Sequence, residues 1–240
     1  MKTELVVNMD TAKDARILVL EDALRRLNEI VGNRKLKLHI EYSKLNNELK
    51  NAGSRLYEIK YAYTDAETLA ESEATKSLIE SIKNFSEIVK SSIASSGFNP
   101  STTKDQLVYA DLLYCFRIVE GFQTRLLDFD EDPAFAVDIL AVEVSQMQDV
   151  SGSDNLSVCR CTDGKRIWRI VTNIQNIQLE SKLACAVLPP VDMLGVVSEA
   201  MFLGATQLDS EIPLGLLKDC PSHALDQARA QVLKITKRMS

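Results

Sequence analysis

Three groups of residues have the types that could hold a metal or move a proton. They are Cys159 with Cys161, His39 with His223, and the acidic run Asp128, Asp130, Glu131 and Asp132. Zinc sites are built from Cys-x2-Cys pairs or Cys/His quartets, and Cys159-Arg160-Cys161 is one residue short of that pair. On a strand both thiols point to one face, where small buried hydrophobes are the role that fits. The two histidines lie in stretches of unrelated character and make no dyad. The acidic run lacks the alternating ligands and the glycine of a calcium loop, and reads as a solvated linker. The sequence has no glycine-rich phosphate loop and no Ser/His/Asp set. The expectation is a protein without catalytic residues, metal ligands or cofactors, and so not an enzyme.

A further constellation suits recognition instead. In Ser198-Glu199-Ala200-Met201 a hydroxyl that can donate and accept sits near a soft, adaptable thioether. Lys165, Arg166 and Arg169 surround a hairpin signal and could hold phosphates. Trp168, the one tryptophan, alternates with Arg169 and is expected to fill or seal the structure from the opposite face.

The chain that must position these residues is of ordinary globular composition, 45% hydrophobic and 26% charged. No apolar run approaches the length of a membrane helix. "MKTELVVNMD" is too short and too soon acidic for a signal peptide, so a cytoplasmic protein without a membrane is expected. An odd number of scattered cysteines fits that compartment. The net charge of -6 argues against an indiscriminate nucleic-acid binder, whose affinity comes from neutralising phosphates.

Two halves follow different patterns. Residues 1–130 read as a helical domain, with Ile17, Leu20, Leu24, Leu27 and Val31 at helical spacing. A second run takes in Leu45, Leu49, Leu56 and Ile59. A third helix is expected from the capping-box spacing of Thr64–Glu67 through Val89, and a fourth from Thr102/Asp105 through Leu127. These suggest an antiparallel bundle or long hairpin. Between Arg25 and Lys60 nine Lys/Arg face four acids, which reads as complementarity between helices or a solvated face rather than an RNA surface.

From residue 136 short apolar runs alternate with turn signals. Strands are expected in "VDILAVEVSQM", "NLSVCRC", "RIWRIVT", "KLACAVL" and "AMFLGA", with Asp163-Gly164 as a hairpin turn. Five short strands in about 70 residues have the rhythm of a small barrel such as an OB-fold. The expected class is therefore α+β and multidomain. It comprises a helical domain (1–130), a five-stranded OB-fold barrel (136–206), and a C-terminal extension (207–240) ending in a helix after Pro221.

The second half resembles the tRNA-binding domain family, the OB-fold modules of methionyl-tRNA synthetase C-terminal domains, phenylalanyl-tRNA synthetase beta chains and the endothelial monocyte-activating polypeptide. Asp154-Asn155-Leu156 stands where the family has Asp-Lys-Leu. Ile170-Val171-Thr172-Asn173 stands for Ile-Val-Ser-Gly. Gly195 to Gly204 stands for Gly-x-x-Ser-x-Gly-Met-x-Leu-Ala. The resemblance implies RNA contacts at Ser198, Met201, Asn155, Thr172 and Asn173, to which the basic residues Lys165, Arg166 and Arg169 would add contacts to phosphates. It implies tRNA or another structured RNA as ligand, an aminoacyl-tRNA synthetase as a possible partner, and a homodimer. Residues 138–205 carry eight acids against five bases. The alternative is a protein-interaction, assembly or chaperone-like module that reuses the barrel and the long helices.

Overall fold

The computed structural model describes residues 8–239; most of the N-terminal segment read above for a signal peptide lies outside them. The arrangement is α+β, with helices first, then an antiparallel sheet, then a terminal helix. Contacts divide the chain into two units, one of Met1–Asn99, Cys115–Ala136 and Val232–Ser240, the other of Pro100–Tyr114 and Val137–Gln231.

In the helical unit, α1 (Ala15–Gly32) starts where the Asp14 side chain accepts from the Arg16 amide. Its stripe Ile17, Leu20, Leu24, Leu27 and Val31 is buried, as the spacing requires. α2 (Tyr42–Lys60) packs against α1 and against the later helix α4 (Glu73–Ser96). The single third helix expected from Thr64 is two helices. Asp65, not Thr64, caps α3 (Ala66–Glu71) by accepting from the Thr68 amide. Ser72 then leaves helical geometry and caps α4 by accepting from the Thr75 amide at 3.2 Å. Two N-caps seven residues apart cannot share one helix, because an N-cap residue needs extended backbone.

The fourth helix also divides, into α5 (Thr103–Glu120) and α6 (Phe122–Asp128). Thr102 and Asp105 form the expected reciprocal cap, hydroxyl to carboxylate at 2.8 Å and amide to hydroxyl at 3.1 Å. The break falls at Gly121, where an added Cβ would collide with the Arg125 guanidinium. Arg125 is itself buried and donates to the Arg117 and Ile118 carbonyls at the end of α5.

The second unit is a barrel of β1 (Ile139–Asp149), β2 (Ser157–Thr162), β3 (Ile167–Thr172), β4 (Lys182–Met193) and β5 (Val196–Gln207). The order is β3-β2-β1-β4-β5, with β3 against β5, which is the closure of an OB barrel. A short β6 (Gly215–Leu216), unforeseen in the sequence, pairs with β1. β4 runs on beyond the expected "KLACAVL" through a proline pair. Pro189-Pro190 falls in a register shift between Val187 and Val191, a place where lost ladder donors are tolerated. β4 and β5 then join through Leu194 (φ 54°) and Gly195 (φ 85°), the two left-handed positions of a tight hairpin turn. The Gly195 amide is held by Asp192 Oδ1 at 2.8 Å. The terminal helix α7 spans Ser222–Thr236.

Candidate nucleic-acid interface

β1 first pairs with β4 and then bends away to pair with β2. The bend carries a register shift between Val144 and Gln146. Without it, strict alternation from buried Val142 and Val144 would turn Gln146 and Gln148 inward. The inserted residue, Ser145, donates its hydroxyl to the Arg160 carbonyl at 2.8 Å, and beyond it Gln146 and Gln148 are exposed.

That bulge creates a cross-strand row. Gln146 of β1 is register partner of Arg160 of β2, which is register partner of Arg169 of β3. A cleft of about 310 Å³ opens over this row, with Val158 and Val196 as its apolar lining and Gly195 at its rim. Gln106, from the α5 portion of this unit, closes another side and accepts from Arg169 Nη1 at 3.0 Å. Nearby, the Thr103 hydroxyl donates to the Gly195 carbonyl at 3.0 Å. Among the described residues no carboxylate lines the cleft.

The residues singled out in the sequence do not converge. Ser198 is only 4% exposed. Its hydroxyl accepts from the Val171 amide and donates to the Ala200 carbonyl, both at 3.0 Å. It therefore closes the barrel rather than facing a ligand. Glu199 does likewise from the next position, accepting from the Arg169 amide at 3.1 Å. Among the described residues no backbone ladder joins β3 to β5, so these two side chains supply acceptors that the ladder does not. Arg166 forms an ion pair with Glu199 and lies 3.8 Å over the Trp168 ring; its charge is already engaged. Trp168 is buried, as expected of a filler.

Lys165 is exposed at the β2–β3 turn, which Asp163 organises by accepting from the Lys165 and Arg166 amides at 2.9 Å each. Asn155 and Asn173 are exposed at the other end of the same hairpin, about 17 Å away at 3.3 Å per strand residue. Thr172 is buried and holds the Ile174 amide at 3.1 Å. Met201 is half-buried on β5 opposite Ala186 of β4. Of the three bases expected on phosphates, Arg169 alone lines the cleft, and its companions Arg160, Gln146 and Gln148 were not singled out. Arg160 was within reach of the sequence, since burial of Cys159 and Cys161 forces it outward.

Cys159 and Cys161 are buried. Burial pushes the Cys159 thiol up to about 11 and the Cys161 thiol, further raised by its neighbour, up to about 12. Both stay protonated near neutrality and offer no thiolate to a metal. No grouping of His, Cys, Asp and Glu among the described residues could hold a metal ion. Nor is any described helix long and apolar enough to cross a membrane.

A family model described as an alpha helical domain matches residues 8–128, half of the chain. The chain belongs to the alpha helical domain family. Its alpha helical domain accounts for α1 to α6 and stops before β1. The crystal structure of a MetRS-related protein from Pyrococcus horikoshii aligns with 37% of this chain and 94% of its own, at 19% identity and a TM-score of 0.34. No curated protein matches the sequence. The barrel downstream of the alpha helical domain is thus assigned by its own strand order.

Proposed function

We propose that the protein is a non-catalytic RNA-binding protein, with tRNA or another structured RNA as its ligand, and that it binds on the β1–β2–β3 face. One observation carries the reading: in an acidic chain, a cleft with two arginines, three glutamine amides and, among the described residues, no carboxylate lies on the face that OB barrels present to nucleic acid. The same cleft borders the loops where such barrels extend their contacts. The β4–β5 turn contributes Gly195, and Asn155 and Asn173 stand exposed at the β1–β2 end. A cytoplasmic place beside the translation machinery, association with an aminoacyl-tRNA synthetase and pairing of two copies belong to the same proposal. Leu233 on α7, 44% exposed, is the apolar residue a second copy would cover.

The test is fluorescence anisotropy with labelled bulk tRNA at low and moderate salt. Saturable binding that weakens with salt supports the reading, because phosphate contacts release counterions. Absence of binding at low salt overturns it. A protein-interaction or assembly role is favoured by a different observation, the exposed Tyr57, Tyr61 and Tyr63 of the helical unit. That reading expects association indifferent to salt.

A further inference from the structure

We propose that Arg160 and Arg169 together seat one backbone phosphate of an unpaired RNA segment, and that Gln146 and Gln148 read the edge of the adjoining base. The inference rests on the RNA-binding reading above and gives it a substrate class and a register.

Arg160 and Arg169 face each other directly across the β2–β3 ladder. Like charges in that position repel and destabilise a sheet. On the same hairpin Arg166 is neutralised by Glu199. Here no carboxylate lines the cleft, and the guanidinium of Arg169 donates to a neutral amide, Gln106, at 3.0 Å. Arg160 is exposed and makes no side-chain ion pair among the described residues. A cross-strand cation pair kept without a counterion is what an anion seat looks like before the anion arrives. Two guanidinium forks match the oxygens of a phosphodiester, which only accepts.

The amides address something else. Gln146 extends the same cross-strand row, and Gln148 lies two register pairs further on, opposite Val158. An amide both donates and accepts, which a base edge requires and a phosphate does not. Val158 and Val196 supply apolar surface between them. In an A-form duplex the informative edges lie in a groove too deep and narrow for side chains. Short glutamines rising from a strand floor therefore need a base that is not paired.

The experiment measures anisotropy with a labelled single-stranded RNA octamer, the same octamer annealed to its complement, and bulk tRNA. The proteins are wild type, Arg160→Gln and Gln146→Ala/Gln148→Ala, each also melted thermally. The octamer is expected to bind at least about tenfold tighter than its duplex. Arg160→Gln is expected to weaken the octamer about tenfold and to flatten the log–log salt slope by about 0.7, the loss of one single-strand phosphate contact. Its Tm should stay level or rise, since a repulsion is removed. The glutamine pair should lose affinity with the salt slope intact. Binding of tRNA with no preference for the octamer over its duplex, or with no effect of Arg160→Gln, would overturn the seat and leave RNA binding standing. A fall in Tm for Arg160→Gln would make the arginine structural and also overturn it. Failure of every RNA to bind would overturn both.

Discussion

The helical unit and the barrel face treat charge in opposite ways. In the helical unit five of the nine basic residues of the stretch that stands out in the sequence are paired with acids. Arg25 and Arg26 hold buried Asp22, Lys60 holds Glu21, and Lys44 and Arg55 hold acids three residues away. Deeper still, Arg16 is 2% exposed, bonded through two nitrogens to Asp14 at 2.7 and 3.0 Å, and aimed at the Arg125, Phe129 and Asp130 carbonyls. On the barrel face two arginines stand opposite each other with amides for company. Counting charges along the chain ranks the first region as the basic one. The barrel face differs in arrangement rather than in number: its two arginines are cross-strand partners and, among the described residues, no carboxylate lines their cleft, and that arrangement is what a polyanion would feel.

The largest effect that can sharpen this contrast is at the buried pair. Asp14→Ala leaves the Arg16 guanidinium buried without its carboxylate and also removes the α1 cap, and should cost about 3–5 kcal/mol in urea unfolding. A cost under about 1 kcal/mol would mean that the helical charges are as dispensable as surface ones. Next comes the seam. Ser198→Ala strands the buried Val171 amide and should cost about 1–3 kcal/mol, with tRNA affinity unchanged; loss of affinity at an unaltered Tm would restore Ser198 to the ligand.

The barrel thiols give a pH arm. Their folded pKa values lie above the ordinary thiol range, so the folded state holds these protons more tightly than the unfolded chain. The contribution is complete below about pH 9 and is lost as pH climbs toward about 11 to 12. Alkaline unfolding of the barrel should set in over that window, and iodoacetamide at pH 8 should leave Cys159 and Cys161 unmodified in the folded protein. Smallest of all, Arg55→Ala breaks an exposed pair with Glu58 and should move stability by less than about 0.5 kcal/mol.

Much of the fold was legible because it follows local periodicity. The stripe of α1, the reciprocal cap at Thr102 and the burial of Cys159 and Cys161 are all read directly from spacing. Two helix breaks were missed for a shared reason. Ser72 and Gly121 interrupt apolar patterns that themselves continue, and only the cap geometry and the Arg125 contact reveal the interruption. The place of the proline pair within β4 was not legible either, because a register shift on a strand has no signature beyond the prolines themselves. The site was the least legible part. Gln146 and Gln148 stand on the outer face only because Ser145 is an extra residue, and alternation, the rule that reads strands, assigns them inward.

The seam between β3 and β5 is closed by side chains where the other strand pairs are closed by ladders. Ladder hydrogen bonds release only when strands separate, whereas Ser198 and Glu199 release when a side chain changes rotamer, a motion of picoseconds to nanoseconds at exposed positions. The Arg169 amide bound by half-buried Glu199 should therefore exchange with solvent deuterium earlier than the Val171 amide bound by buried Ser198. Since Arg169 also lines the cleft, this side-chain stitch holds the backbone of a cleft residue.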